Sequence, residues 1–109
     1  MTVHELAEAL HLETIVEADG KRKIDGCYIG DLLSWVMGRA QSGNVWITIM
    51  SNINIVAVAS LADVSCIILA EGVTVEENVR AVAEAKGVNL LASERTAYEL
   101  AASLKDLIE

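Results

Sequence analysis

A chain of 109 residues with 53% hydrophobic composition is long enough for one domain with its own core, and needs neither disulfides nor metals to close it. Sixteen acidic residues against eight basic ones give a formal net charge of −8, a field that repels polyanions and argues against nucleic acid and anionic membrane surfaces as partners. With glycine counted and tyrosine left out, the apolar share is about 58%, above the ~45–50% of ordinary globular domains. The surplus points to a homodimer contact.

In chain order, the first element is announced by Thr2-Val3-His4-Glu5, a capping box, followed by Leu6, Ala9 and Leu10 at helical spacing. Residues 12–16, LETIV, alternate as a short strand, and EADGKRK with its Asp-Gly is a turn. A strand is expected over 24–29, and then a helix carrying Leu32, Leu33, Val36, Met37 and Ala40. VWITIM (45–50) and VSCIILA (64–70) are almost wholly apolar, as parallel strands buried on both faces are. A helix over 55–61 separates them.

The helix after the second of these strands is expected to start at a capping box, Thr74 to Glu77, and to stop at Gly87 with Lys86 in its last turn. VNLLA is the last strand. Ser93 is expected to cap the last helix, on which Ala97, Leu100, Ala101, Leu104 and Leu107 recur at helical spacing. Repeated strand–helix units with doubly apolar strands predict an α/β fold. It is a single three-layer domain over residues 1–109, with a mainly parallel sheet of about four strands from Ile24 onward and flanking helices. The first helix and LETIV add a layer or an edge.

The two cysteines, Cys27 and Cys66, lie in apolar strand-like runs and read as buried reduced thiols. No CxxC occurs, and neither histidine is near a cysteine in sequence, so no metal site is expected. The opening decapeptide lacks the basic start and long apolar core of a secretion signal. The longest apolar run, Ile55–Ala59, is too short for a bilayer. A cytoplasmic protein is expected.

In a parallel sheet, ligands dock beyond the carboxyl ends of the strands. Those ends are Gly30-Asp31, then Ser51-Asn52-Ile53-Asn54, then Glu71-Gly72-Val73-Thr74, then Ser93-Glu94-Arg95-Thr96. Each opens a helix, whose free N–H groups and dipole suit an anion. The candidate ligand-binding residues are therefore Gly30, Asp31, Ser51, Asn52, Asn54, Glu71, Gly72, Ser93 and Thr96. The competing explanation is that these side chains only cap helices, which stabilises each by about 1 kcal/mol. Neither a P-loop, a dinucleotide fingerprint nor a nucleophile elbow occurs, so no catalytic residue is assigned and no cofactor is expected. Asp31 and Glu71 could pair as acid and base, though any acidic chain offers such pairs.

The segments GCYIGDLLSWVMGRA, VWITIMSNINIVAVASLADVSCIILAEG and GVNLLASERTAYELAASL resemble the DRTGG-domain family over nearly the whole chain. The most specific stretches are Tyr28 to Leu33, Asn54 to Ala59 and Ile67 to Gly72; the letters of the family name do not occur as a string. The resemblance implies a domain similar to the amino-terminal domain of HPr kinase/phosphorylase, without kinase chemistry. It also implies a regulatory or dimer-forming module of the kind attached to phosphate acetyltransferases and CBS-domain pyrophosphatases. The expectation is a non-catalytic regulatory or adaptor module, homodimeric, with a protein partner and a small-molecule ligand as further candidates. The alternative is a nucleotide or small-anion sensor with a crevice at Ser51, Asn52, Asn54, Ser93 and Thr96. A small enzyme using Asp31 and Glu71 is the third reading.

Overall fold

The computed structural model describes residues 1–108. Five strands and five helices follow one another as α1 (Val3–Ala9), β1 (Glu13–Val16), β2 (Cys27–Ile29), α2 (Leu33–Arg39), β3 (Val45–Thr48), α3 (Asn54–Ala62), β4 (Cys66–Leu69), α4 (Glu77–Lys86), β5 (Leu90–Ala92) and α5 (Ala97–Ile108). The sheet order is β1-β5-β4-β3-β2, parallel from β2 to β5, with β1 antiparallel on the β5 edge. The α/β class and the four parallel strands agree with the sequence. The strands are shorter than expected, and β2 keeps only its last three residues.

Every residue of β3, β4 and β5 is buried. Strand side chains alternate between faces, so each strand serves two cores. Trp46, Ile67, Leu69 and Leu90 pack under α2, α3 and α4. Val45, Ile47, Cys66, Ile68 and Leu91 pack under α1 and α5. Each βαβ unit steps to the next strand in the same direction, and right-handed crossovers then place α2, α3 and α4 on one face. The other face receives α1 and α5.

Helix ends divide between expectation and correction. Thr2 and Glu5 form the expected capping box. Gly87 closes α4 in the left-handed conformation (φ 71°), as a glycine does without Cβ strain. The box expected at Thr74–Glu77 is absent. Glu76 takes the N-cap position of α4 and no side chain caps it; Thr74 lies two residues ahead of it, in the loop.

The amino ends of the strands hold the buried polar groups Asn44, Ser65 and Asn89, each immediately before an apolar strand. The Ser65 hydroxyl donates to the Asn44 carbonyl at 3.0 Å. The Asn89 amide donates to the carbonyls of Ser65 (3.0 Å) and Asp19 (2.9 Å), and its oxygen accepts from the Asp19 N–H at 2.8 Å. Together they tie the β1–β2 connection to the sheet. No buried side-chain polar atom lacks a partner among the described residues.

Cys66 is fully buried, and burial pushes its thiol up to about 12. Cys27 is exposed, contrary to the expectation of two buried thiols. It lies on the sheet's last strand, on the face that has two helices instead of three. In register, Cys27 faces Val45 and Val45 faces Cys66. Two strand spacings, about 10 Å, therefore separate the sulfur-bearing residues, beyond disulfide reach.

His4 bridges two carboxylates: its Nδ1 is 2.8 Å from Glu17 Oε1, and its Nε2 is 3.3 Å from Glu8 Oε1. The Glu17 hydrogen bond, then the Glu17 charge, raise its pKa above 6.5. A raised folded-state value makes this contribution complete below about 6.5 and lost as pH rises through the folded pKa. Melting temperatures taken at about pH 6 and pH 8 will show a decline in the parent that His4→Gln reduces.

Asn89→Ala removes three hydrogen bonds and strands buried backbone groups. It will lower stability by about 2–3 kcal/mol in urea titration. A loss below about 0.5 kcal/mol would mean that the ties across the amino ends are not structural.

Candidate functional site

The carboxyl ends of the strands are organised differently. The β4–α4 loop leaves toward the face that carries α2 and α3. The β5–α5 loop leaves toward the opposite face. Adjacent loops diverging to opposite faces open a crevice between them. A cleft of about 690 Å³ occupies this place, walled by the β4–α4 loop, the first turns of α4, the β5–α5 loop and the start of β1. That volume falls within the ~300–1,000 Å³ of small-molecule sites.

The floor of the crevice is set by backbone. Glu71 and Gly72 are consecutive left-handed residues, at φ 60° and 74°. Their N–H groups donate across the gap to the Arg95 carbonyl (2.8 Å) and the Ser93 carbonyl (2.9 Å). Glycine takes this conformation freely, whereas for Glu71 it costs about 1–2 kcal/mol. The two cross-loop hydrogen bonds hold it there.

The walls mix charges. Arg80 and Arg95 bring two cations, and Glu13, Glu76, Glu77 and Glu94 bring four carboxylates. Arg80 reaches Glu77 at 3.4 Å and the Ile15 carbonyl at 3.4 Å. The Arg95 guanidinium has no ion pair among the described residues. With no side-chain cap on α4, the helix's first N–H groups are open on the cleft side.

The sequence-derived candidates separate into two groups. Gly72 and Ser93 line the cleft, Glu71 fixes its floor, and Thr96 stands just behind it. Gly30, Asp31, Ser51, Asn52 and Asn54 belong to the β2 and β3 ends and are not among the residues that line this cleft. Four cleft residues, His11, Glu13, Arg80 and Arg95, were not singled out from sequence. His11 and Glu13 reach it only because β1 pairs with β5, which no local pattern encodes.

Asp31 is not a helix cap. Its Oδ1 accepts from the Thr48 hydroxyl at 2.8 Å and from the Ile49 N–H at 3.0 Å, and Leu32, the N-cap residue of α2, supplies no side-chain cap. The carboxylate is drawn sideways to β3 because the buried Thr48 needs an acceptor. Glu71 lies two strands away with β3 between, so Asp31 and Glu71 are not brought together. Asn52 does serve a helix start, its side chain accepting from the Asn54 N–H at 2.9 Å.

Ser93 is not the cap of α5 either; its hydroxyl accepts from the Arg95 N–H at 3.1 Å. Thr96 is the cap, accepting from the Glu99 N–H at 3.2 Å while Glu99 accepts from the Thr96 N–H at 3.1 Å. The backbone bond from Thr96, then its hydroxyl, hold the Glu99 carboxyl below its ordinary value.

A family model described as the DRTGG domain matches residues 5–107. No curated protein matches the chain. Among solved structures, the chain is similar to the CBS and DRTGG domains of the regulatory region of Clostridium perfringens pyrophosphatase, complexed with its activator, diadenosine tetraphosphate. The TM-score is 0.74 at 13% identity, over 94% of this chain and 45% of that one. The chain thus spans less than half of that structure, and the likeness is one of fold. No helix among the described residues is long and apolar enough to cross a membrane.

Thr96→Ala will cost about 1 kcal/mol in thermal or urea unfolding, and Ser93→Ala only a few tenths. The opposite ranking would return the cap to Ser93.

Proposed function

The chain belongs to the DRTGG domain family, and from that premise we propose that it is a non-catalytic regulatory module, homodimeric, that senses a nucleotide in the β4–β5 crevice. The observation that carries this reading is the crevice itself. Its walls are positioned by hydrogen bonds between two loops, and it offers complementary groups for the two halves of a nucleotide. Phosphate finds Arg95, Arg80 and the uncapped amides of α4. Ribose hydroxyls and base amines are donors, and the carboxylates of Glu13 and Glu94 accept from such groups. A bare anion would meet more carboxylates than arginines here, so the lining favours a ligand with donors of its own.

A module of the same fold lies in a regulatory region solved with a nucleotide activator, which supports the class of ligand proposed. Of the sequence candidates, Gly72 and Ser93 approach the ligand, while Glu71 and Thr96 hold the loops around it. Binding at a site made of two loops changes their relative freedom, and a protein partner would read that change.

Thermal-shift and calorimetric titration with adenosine mono-, di- and triphosphate, diadenosine tetraphosphate and inorganic phosphate will test this. A nucleotide at about a hundred times its Kd adds about 2.7 kcal/mol to stability, and it will be recovered chemically unchanged. Arg95→Ala will weaken binding about tenfold or more without altering the unliganded melting temperature. The absence of a shift with every nucleotide would overturn the sensing role.

A further inference from the structure

Charge is unevenly placed on this fold. Between Gly26 and Ala62, a stretch that holds β2, α2, β3 and α3, only Asp31 and Arg39 are charged. The remaining fifteen acidic and seven basic residues carry the whole −8 elsewhere. The same stretch holds seven of the ten large apolar side chains exposed among the described residues.

Four of these seven belong to the segments at the free edge of the sheet: the end of β2, the start of the α2 region and the residue after β3. Ile29 (49% exposed) ends β2 and Leu32 (60%) stands at the N-cap of α2. Trp35 (51%) lies one turn on, and Ile49 (44%) is joined to the same corner by its N–H on Asp31. The Arg39 guanidinium lies over the Trp35 ring, 3.6 Å from its centroid. Charge depletion together with exposed Trp and Arg is the composition of an interface core.

The backbone of this edge is open as well. The Gly26 carbonyl and the Gly30 N–H both bond inward to β3, with Val45 and Ile47. In a parallel ladder the inward-bonding residues alternate, so Cys27 and Ile29 turn their N–H and C=O outward, where no strand follows. Natural sheets guard such an edge with charge or proline, and β2 has neither.

We propose that this edge receives a second copy of the chain, β2 lying antiparallel on β2 about a two-fold axis at Tyr28. The inference rests on the homodimer named under the proposed function and supplies its interface. An antiparallel pair is self-complementary: Cys27 and Ile29 of each copy meet Ile29 and Cys27 of the other, donors against acceptors. Charge selects the occupant. Two bodies of −8 repel over the rest of their surfaces and can meet only where charge is absent. A cationic protein would be drawn to the acidic surfaces instead. Leu32 and Trp35 then flank the strand pair on one face of the joined sheet, and Ile29 and Ile49 on the other.

Sedimentation of the full chain with three variants tests the interface. Ile29→Pro removes only an outward N–H, a change that edge strands accept. Trp35→Glu places a charge in the apolar corner. Tyr98→Glu, at an exposed site on α5, is the control. The parent is expected to be dimeric at micromolar concentration; Ile29→Pro and Trp35→Glu each raise the dimer Kd at least tenfold, and Tyr98→Glu leaves it unchanged. If Ile29→Pro loses its circular-dichroism spectrum, Trp35→Glu decides alone. A parent that stays monomeric to about 100 µM overturns the homodimer and this interface together. A dimer that Trp35→Glu leaves intact overturns the interface and leaves the homodimer standing.

Discussion

Three adjacent strands with no side facing water are the constraint from which the rest of this fold follows. β3, β4 and β5 bury every side chain they have, so both faces of the sheet must be covered. Parallel neighbours cannot be joined by hairpins, so the covering elements must also be the connections. Sequential strand order and right-handed crossovers then send α2, α3 and α4 to one face. After β5 the chain crosses to the other face, where α5 joins α1. The crevice is the geometric residue of that change of side between α4 and α5.

The two ends of the sheet consequently have different characters. At the amino ends, Asn44, Ser65 and Asn89 are buried and their side chains are engaged by backbone groups, Asn44 with Asp25 and Gln41, Ser65 with Asn44, and Asn89 with Ser65 and Asp19. At the carboxyl ends, the loops open helices, carry charge and expose hydrogen-bonding groups. The polarity of a parallel sheet thus separates what holds the fold from what is free to recognise something.

Much of the scaffold was legible in the sequence because its signals are local. Runs such as CIIL and LLA bury both faces, Thr2-x-x-Glu5 caps, and Gly87 stops a helix through its own backbone freedom. The candidate site was less legible because its signals compete. Thr96-x-x-Glu99 carries the same capping signature as Thr74-x-x-Glu77, yet only the first forms. In the second, the helix starts two residues later, with Glu76 rather than Thr74 at the N-cap position. Asp31 reads as a cap until the buried Thr48 hydroxyl, seventeen residues away, claims its carboxylate. His11 and Glu13 enter the cleft through a strand pairing that spans nearly the whole chain.

That pairing also orders events in time. β1 joins the sheet only against β5, with Glu13 opposite Ala92 and Thr14 opposite Leu91. While the chain emerges from the ribosome, β2, β3 and β4 can pair as each appears, whereas the earliest strand waits for the latest. Loop closure over so long a separation delays the contact further. The cleft wall that β1 supplies is therefore the last part of the crevice to exist. A nascent or truncated chain would own the parallel sheet and its apolar edge before it owned a complete pocket. On the proposed reading, association of copies would become available earlier in the life of the molecule than recognition of a ligand.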